Sequence, residues 1–402
     1  MEHVTVEQAV ALIEERVSFI DRKKKLPLME ALGYVMAETV YAPFSNPPFD
    51  RAPIDGYALK AEDTKGATKE CPVILTVVEE VDAGQYSERE LQHGQAVRIM
   101  TGAPIPKGCD CCIRQESTNY GEDKVEIYQE MKSHENYCDL GEDVREGDLL
   151  VRDGVTLTFV ELGILASLGI TEVTVYDKPR LALVTTGDEV VTPGQPLGPG
   201  KIYNSNMTMM EARLKELGYP FCIIKSHGDD GKSLAKELME LANGVDAIVT
   251  TGGVSVGKKD ILHDAIKEMK AERVFWKVLL KPGTPTIFSV YNSIPIVSLS
   301  GNPFGALTNT ELLLRPMLAT MANDKSLLPV RTTGVMEDEF LKESKGRRFI
   351  RAYYENHKVY LPKNGLHSSG VLSTMAGCNC VIDITPGTKQ LLKGDEVTVV
   401  LL

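Results

Sequence analysis

The residues best suited to chemistry in this 402-residue chain follow three short apolar runs. The run 246–251 ends in a threonine pair and leads through Gly252, Gly253 and Ser255 to Asp260, where a helical pattern begins. Glycines let backbone N–H groups approach an anion, and the amino end of a helix adds partial positive charge. The loop is therefore typical of a phosphate or anion site with a carboxylate that can hold a metal ion.

Two more strand-like runs end in loops of the same kind. One loop holds Thr186 and Glu189, and the other holds Ser300 and Pro303. Ligands of open α/β sheets bind outside the carboxyl ends of the strands, so three such loops indicate one site. Acids in a first helical turn also suit the helix dipole, and that structural explanation suffices for the loop at 186–189 taken alone.

Acidic residues at neighbouring strand ends strengthen the prediction of a single site. Asp229 follows the predicted strand 222–226, and Glu189 and Asp260 are expected at the same edge of the sheet. Carboxylates held close together repel one another unless a cation lies among them, and Mg²⁺ with phosphate oxygens is the usual solution. We therefore expect Glu189, Asp229 and Asp260 to bind Mg²⁺.

Basic residues downstream suggest where a second anion binds. Lys277 and Lys281 are four residues apart around an apolar strand, so period-two alternation predicts that both face the same way. A solvated face explains the pair almost as well, but the Pro-Gly turn after Lys281 favours an anion role. The arginine cluster at 347–351 is either surface charge or a set of guanidinium forks for an oxyanion.

The elements that must position these residues alternate in type. Strand-like runs and ten-to-fifteen-residue helical patterns over 180–322 predict βαβ units and a parallel sheet. Short strands with turn signals predict a β domain before it, and strands after 323 suit a small barrel. Helical patterns are also present at 5–40, including a second helix over 27–39, and at 156–169, where the helix is expected to pack on the first one.

Composition excludes several classes of protein. A net charge of −12 argues against binding to nucleic acid, which needs a basic face. No apolar run reaches the ~20 residues of a membrane span, and the amino terminus lacks signal-peptide features, so a cytoplasmic location is expected. The cysteines at 109–112 lie in a strand-like run and are expected to be small apolar core residues, without disulfides.

Seven motifs together resemble the molybdopterin molybdenumtransferase family, which includes MoeA and the E domain of gephyrin-like proteins. The resemblance extends over essentially the whole chain. The motifs are Phe49-Asp with Asp55-Gly-Tyr-Ala58, Arg98-Ile-Met-Thr-Gly-Ala-Pro104, Gly141-Glu-Asp143 with Gly147-Asp148, Thr186-Gly-Asp-Glu189, Thr251-Gly-Gly-Val-Ser-Val-Gly257 with Asp260, Lys281-Pro-Gly283 and Ser300-Gly-Asn-Pro303.

The resemblance implies a multidomain α/β and β protein that forms an elongated homodimer. It implies a helical and linking domain (1–45 and 138–177), an inserted β domain (46–137), a three-layer α/β molybdopterin-binding domain of the adenylyltransferase type (178–325) and a C-terminal β-barrel (326–402). The implied reaction inserts molybdate into adenylylated molybdopterin and releases AMP with Mg²⁺. The implied site lies between the α/β and C-terminal domains of one subunit and the β domain of the other.

The resemblance also implies roles for individual residues. Asp55, Thr101 and Asp143 correspond to polar cleft residues, and Glu189, Asp229 and Asp260 to the acidic cluster. The residues that correspond to the set facing the ligand and the oxyanion are Lys277, Lys281, Arg351 and Ser369. Two positions depart from the family pattern, because Ser300 and Thr284 stand where a proline and a lysine are usual. These departures bear on the affinity for molybdate and on the preference for molybdate over tungstate.

Two other functions fit parts of the same pattern. The first is the adenylyltransferase step that loads AMP onto molybdopterin, but the long N-terminal half and the barrel argue against it. An adenylyltransferase of that pathway is instead an expected partner. The second is a non-catalytic scaffold that keeps the fold, and the intact acidic cluster argues against it.

Overall fold

A computed structural model describes residues 1–254, 261–362 and 365–402 of the chain. These residues form a linking region, an inserted β domain, a three-layer α/β domain and a closed barrel. The multidomain α/β and β fold predicted from the sequence is confirmed. Within the described residues, no helix is long and apolar enough to cross a membrane.

The first strand and the first helix belong to the large α/β sheet. Strand β1 (Glu2–Val4) pairs in parallel with a strand at 272–278, and helix α1 (Val6–Arg16) packs on the same core. The helix begins at a capping box in which the Gln8 amide donates to the Thr5 hydroxyl oxygen at 3.2 Å. A strand of three residues is too short to give a periodic signal, and the sequence pattern did not reveal it.

The predicted helix over 27–39 is wrong. Strand β2 (Lys23–Pro27) is followed by a single 3₁₀ turn at Leu28–Ala31, and strand β3 (Val40–Tyr41) comes later. Gly33 has a positive φ of 71°, which ends any helical continuation. The apolar spacing of this segment therefore reflects packing in a small core and not a helical stripe.

The inserted β domain consists of short strands, as predicted. Its sheet has the order β7-β4-β6-β5-β8. The strands are β4 (Gly56–Leu59), β5 (Val73–Val81), β6 (Gln95–Ile99), β7 (Cys111–Arg114) and β8 (Lys124–Ile127). Cys109, Cys111 and Cys112 are buried and carry no disulfide, and burial raises the pKa of Cys109 and of Cys112 to about 12. The expectation that they are apolar core residues is confirmed.

The linking region resumes after the β domain. It contains β9 (Leu149–Val151), α2 (Phe159–Ser167) and β10 (Glu172–Tyr176), and β10 pairs antiparallel with β2. Helix α2 packs on the turn at 28–31 and shares a core with Met36 and Val175. The expected packing of α2 on α1 is therefore wrong, because α1 is part of the α/β core.

The α/β domain has the predicted alternation. Its sheet has the order β1-β16-β17-β18-β15-β11-β14, in which β17 is antiparallel to both neighbours and the remaining pairs are parallel. The elements are β11 (Leu181–Thr186), β12 (Val190–Val191), β13 (Ile202–Tyr203), α3 (Ser205–Glu216), β14 (Phe221–His227), α4 (Gly231–Leu241), β15 (Ala247–Thr251), α5 (Ile261–Met269), β16 (Glu272–Val278), β17 (Ile287–Tyr291), β18 (Ile294–Leu299), α6 (Pro303–Asn309), a π-helical turn (Thr310–Leu314) and α7 (Arg315–Ala322).

Helices cover both faces of this sheet. Helices α4 and α5 form one apolar layer, while α1, α3, α6 and α7 form the other. Since both faces are covered, strands β11 and β15 are buried at every position. This burial explains why they read as continuous apolar runs rather than as alternating ones.

The C-terminal region forms the predicted barrel. It closes in the order β19-β21-β20-β22-β23, and Phe349, Val381 and Val400 join it to the core of the α/β domain. The barrel therefore packs against the α/β domain. Its residues face the loops at 281–285 and 300–302, which follow strands of the α/β sheet. The strands are β19 (Arg331–Met336), β20 (Arg348–Glu355), β21 (Lys358–Tyr360), β22 (Cys380–Ile384) and β23 (Glu396–Leu401).

Candidate active-site cleft

A cavity of about 740 Å³ lies at the carboxyl ends of β11, β15 and β18. Parallel strands bring their carboxyl ends to one sheet edge, which is why loops far apart in sequence meet here. The structure therefore places most of the predicted residues of the α/β domain around one cavity, the first cavity. Those in its lining are Thr186, Glu189, Asp229, Gly252, Gly253, Ser300 and Pro303.

Hydrogen bonds tie the ends of the strands together beneath the first cavity. The Asn206 side-chain amide donates to the Thr251 hydroxyl at 3.0 Å and to the Gly301 carbonyl at 2.8 Å. The Thr251 hydroxyl donates in turn to the Ser300 carbonyl at 3.1 Å. Asn206 and Thr251 are buried, so these bonds fix the spacing between helix α3 and two strand ends.

Two glycines bring the backbone close to the first cavity. Gly252 has a φ of +94°, and a Cβ atom there would lie 2.4 Å from the Thr186 carbonyl oxygen. Gly253 has a φ of +64°, and a Cβ atom there would lie 2.6 Å from the side chain of Ile261. Any larger residue is excluded at both positions, so the loop depends on glycine for its shape.

The amino ends of two helices line the same cavity. Asn204 caps α3 by accepting from the Met207 amide at 3.1 Å, and Ser205 and Asn206 follow in the cavity wall. Pro303 begins α6 without a side-chain cap. Unsatisfied N–H groups and the helix dipole make such ends favourable for phosphate or other anions.

Two of the three predicted metal ligands share the first cavity. Glu189 and Asp229 line it, and the Asp229 amide donates to a carboxylate oxygen of Asp188 at 2.9 Å. Asp260 and Ser255 lie outside the described residues. In residues 1–254, 261–362 and 365–402, no group of three or more His, Cys, Asp or Glu side chains could hold a metal ion. The described part thus offers two carboxylates with oxygen donors of the kind that Mg²⁺ prefers.

A second cavity of about 940 Å³ lies between the α/β domain and the barrel. Lys281, Ser369 and Arg348 line it, and Pro285, Ser300 and Asn302 line both cavities. The two cavities therefore form one cleft. Carboxylates line the first cavity, and among the described residues of the second cavity three cationic side chains outnumber the single carboxylate of Glu339.

Backbone hydrogen bonds place Lys281 at the junction of the two domains. Its amide donates to the Arg347 carbonyl at 3.0 Å, and its carbonyl accepts from the Phe349 amide at 2.8 Å. The buried Asn309 side chain holds the following loop by donating to the Gly283 carbonyl at 2.9 Å. Lys281 is therefore fixed in position by both the barrel and helix α6.

Two predicted anion ligands do not line the cleft. Lys277 has a φ of +67°, and its ammonium lies over the Trp276 ring at 3.9 Å. Arg351 is 0% exposed, lies over the Phe304 ring at 4.1 Å and donates to the Ser368 carbonyl at 2.7 Å. The left-handed backbone at Lys277 breaks the strand alternation on which its prediction relied. In this chain the Arg351 guanidinium supports the loop that carries Ser369.

The predicted residues of the N-terminal half lie elsewhere. Asp55 accepts from the Thr101 amide at 2.7 Å and from the Thr101 hydroxyl at 2.6 Å, and these bonds lower the pKa of the Asp55 carboxyl. Asp143 accepts from the Asn46 side chain at 3.0 Å. Among the described residues, none that precedes Thr185 lines either cavity of the cleft.

Some lining residues had weaker signals in the sequence. Asn206 follows the Asn204 cap at the start of a predicted helix. Arg348 belongs to the arginine cluster, but only the fold shows that this member, and not Arg351, reaches the cleft. The sequence alone does not show which of several neighbouring residues in a motif points its side chain into the cleft, because that depends on the local course of the backbone.

The fold and cleft define a class of protein: a multidomain α/β protein with a polar, charged cleft between its sheet and a small barrel. Family sequence profiles match this division, with the MoeA N-terminal region (domains I and II) at residues 4–169, a probable molybdopterin binding domain at 182–320 and the MoeA C-terminal region (domain IV) at 333–402. The chain belongs to the molybdopterin molybdenumtransferase family, a family of molybdenum cofactor biosynthesis.

Individual relatives show the extent of the similarity. The chain is 34% identical over 379 residues to molybdopterin molybdenumtransferase 2 of Mycobacterium tuberculosis, covering 93% of this chain and 94% of that protein. It is 32% identical over 376 residues to the Staphylococcus epidermidis molybdopterin molybdenumtransferase, covering 93% and 90%. A crystal structure of the Pyrococcus horikoshii molybdopterin biosynthesis MoeA protein superposes with a TM-score of 0.84 at 30% identity, over 100% of both chains.

Proposed function

We propose that this protein inserts molybdate into adenylylated molybdopterin and releases AMP in a Mg²⁺-dependent reaction. The observation that carries the proposal is the continuous cleft, in which carboxylates and helix amino ends lie beside a cationic cavity. Such a cleft suits a substrate with a phosphoanhydride at one end and an oxyanion acceptor at the other. The names of the curated relatives support the same reaction class.

The first cavity suits the phosphate groups of the adenylylated substrate. Gly252 and Gly253 allow the backbone to approach, and the amino ends of α3 and α6 add partial positive charge. The bonds from Asn206 hold these parts at a fixed spacing, so little rearrangement is needed as charge develops on the leaving AMP.

The same cavity has a donor set suited to Mg²⁺. Glu189 and Asp229 would hold the ion, and Asp260 remains a predicted third ligand outside the described residues. When bound, Mg²⁺ would neutralise charge on the phosphoanhydride that is cleaved. Asp188 keeps the Asp229 loop in place through its bond to the Asp229 amide.

The second cavity suits molybdate. Lys281 and Arg348 supply positive charge for a tetrahedral dianion, and Ser369 supplies a hydroxyl. Ser300 lies where the two cavities join, and its hydroxyl accepts from the Asn302 amide at 3.2 Å. The dithiolene sulfurs that bind molybdenum belong to the pterin, so no cysteine of the chain is required as a ligand.

We propose that the working site is completed by a second copy of the chain. Asp55, Thr101 and Asp143 are exposed or partly exposed polar residues outside the cleft of their own chain. An exposed apolar surface supports self-association, since Phe159 is 82% and Met29 is 76% exposed on two elements that touch. A homodimer can place the β domain of one copy over the cleft of the other.

An AMP-release assay tests the proposed reaction. The purified protein is incubated with adenylylated molybdopterin, Mg²⁺ and molybdate, and AMP is measured over time. We expect release that requires both Mg²⁺ and molybdate, and molybdenum cofactor as the second product. Release of AMP without any dependence on molybdate, or no release at all, would contradict the proposal.

A further inference from the structure

A buried ion cluster lies behind the cleft and lines neither of its cavities. The carboxylate of Glu311, which is fully buried, accepts from the Arg213 guanidinium at 2.7 and 3.1 Å and from the Arg315 guanidinium at 2.7 Å. Arg213 lies on α3, Glu311 in the π-helical turn and Arg315 at the start of α7. The cluster therefore joins α3 to the helix that begins at the cleft.

The π-helical turn gives Glu311 its position. The Arg315 amide donates to the Thr310 carbonyl, five residues earlier, as a π turn requires. Pro316 follows directly, and a proline has no amide hydrogen and crowds the carbonyl of the preceding turn. The extra residue in the π turn makes room for the proline. It also rotates the side chains of α7 about the helix axis relative to those of α6.

Both helices that the cluster joins reach the cleft at their amino ends. Asn206 of α3 donates to the Gly301 carbonyl, and Arg213 lies about two turns further along the same face of α3. On the other helix, Asn309 holds the loop of Gly283 and Lys281. A change in the register of the two helices would therefore alter both cavities together.

The chemistry of the cluster favours a geometric role over a purely stabilising one. A buried carboxylate and two guanidinium groups lose their hydration, so apolar residues of similar volume would often stabilise the fold at least as well. What apolar residues would not supply is the bidentate fork of Arg213 on Glu311, which permits only one register of the two helices.

We propose that Glu311 is a positioning residue for the cleft. Together with Arg213 and Arg315, it fixes α3 against α6 and so sets the spacing between the anion loops of the first cavity and the Lys281 loop of the second. This inference rests on the function proposed above, because it takes AMP and molybdate as ligands of the two cavities.

The test compares Glu311→Gln with a matched control, using full-length protein. Asp246→Asn is the control, because Asp246 also accepts a bidentate fork, from Arg22 at 2.7 and 2.6 Å, but lies before the amino end of β15, at the opposite edge of the sheet. Binding of AMP and of molybdate is measured by calorimetry well below the unfolding temperature. We expect both affinities to fall about tenfold or more in Glu311→Gln and to stay unchanged in Asp246→Asn, although both variants lose thermal stability.

Other outcomes separate this inference from the proposed function. Wild-type affinities in a folded Glu311→Gln protein would overturn the positioning role and leave a structural one. If Glu311→Gln does not fold, the test uses Arg213→Lys, which keeps the positive charge but cannot form the bidentate fork. The affinities for AMP and for molybdate should then fall by less than in Glu311→Gln. Unchanged affinities in a folded Arg213→Lys protein would overturn the inference. A wild-type protein that binds neither ligand would overturn the proposed function and this inference with it.

Discussion

The cleft and the polar set of the β domain differ in how complete they are. The cleft assembles residues from several loops of the α/β domain and from the barrel, ties them with buried hydrogen bonds and combines both signs of charge. Asp55 and Thr101 form one exposed hydrogen-bonded pair, and Asp143 forms another with Asn46. One region is a cleft lined by groups from two domains, whereas the other consists of two separate hydrogen-bonded pairs on the surface of the chain.

The difference indicates a division of labour. In the proposed function, the groups that hold charged ligands are positioned by the sheet edge, and the β domain supplies polar residues to the cleft of a second chain. The two hydrogen bonds from Thr101 keep the Asp55 carboxylate ionised and hold it in one orientation. Such an arrangement suits a carboxylate that contacts a ligand or another protein surface. The comparison therefore predicts large effects in the cleft and effects in the β domain that depend on assembly.

The largest effect is expected from Asp229→Asn. Loss of a charge that supports Mg²⁺ and the phosphoanhydride should lower kcat for AMP release by on the order of 10²–10³-fold. Asp230→Asn is the matched control, since Asp230 caps α4 by accepting from the Lys232 amide and asparagine caps helices equally well. Near-normal turnover in Asp229→Asn would remove this carboxylate from the active site.

A large effect of a different kind is expected from Arg351→Met. The guanidinium donates to the Val371 and Ser368 carbonyls and to the Thr374 hydroxyl inside the fold. Losing these bonds should lower the free energy of unfolding by about 2–4 kcal/mol, measured by denaturant titration. Hydrogen bonds from charged groups contribute about 1.5–3 kcal/mol each, but removing the desolvated charge offsets part of the loss. An unchanged stability with a lost molybdate response would instead favour the direct anion role suggested by the family resemblance.

Lys281→Met should separate the role of the second cavity from that of the first. Removal of a cation from the second cavity should raise the molybdate concentration needed for half-maximal cofactor formation about tenfold or more, with AMP binding little changed. Lys277→Met is the control, because Lys277 lies on the Trp276 ring and lines neither cavity. Equal effects of the two lysine variants would contradict the assignment of the oxyanion to Lys281.

The smallest effect is expected from Thr101→Val in the β domain. Bonds from the Thr101 side chain and amide lower the pKa of Asp55, so loss of the hydroxyl should raise this pKa toward its ordinary value. The charged form of Asp55, present above its pKa, would then be lost at a higher pH as the solution is acidified, and the acid limb of the activity profile should move upward. Carboxyl titration followed by NMR measures the change, with Thr101→Ser as the control that keeps the hydroxyl.

The alternating fold was readable from sequence for a physical reason. Buried parallel strands and amphipathic helices each leave a periodic signal, so β11, β15 and their neighbours were predicted nearly at their observed bounds. The segment 27–39 has helical spacing as well, but its apolar residues serve a small core around Met36 and Val175. Spacing alone does not distinguish these two uses of apolar residues.

The sequence predicts the positions of some site residues correctly and of others not. Residues that follow strands, such as Glu189 and Ser300, could be placed because the direction of the strand fixes where its end lies. Lys277 and Arg351 could not, because a positive φ and burial in the barrel redirect their side chains. In the proposed function Asp55 and Asp143 act in the cleft of a second chain, and the sequence of one chain does not position that second chain.

Mixing two inactive variants tests most directly whether the cleft and the β domain form one site across two chains. Asp55→Ala and Asp229→Ala are each inactive in this account, and after unfolding and refolding together, half of the dimers carry one chain of each kind. In such a dimer one site keeps Asp55 from one chain and Asp229 from the other, so AMP release should return to about a quarter of the wild-type rate. A mixture no more active than its separate parents would contradict the composite site.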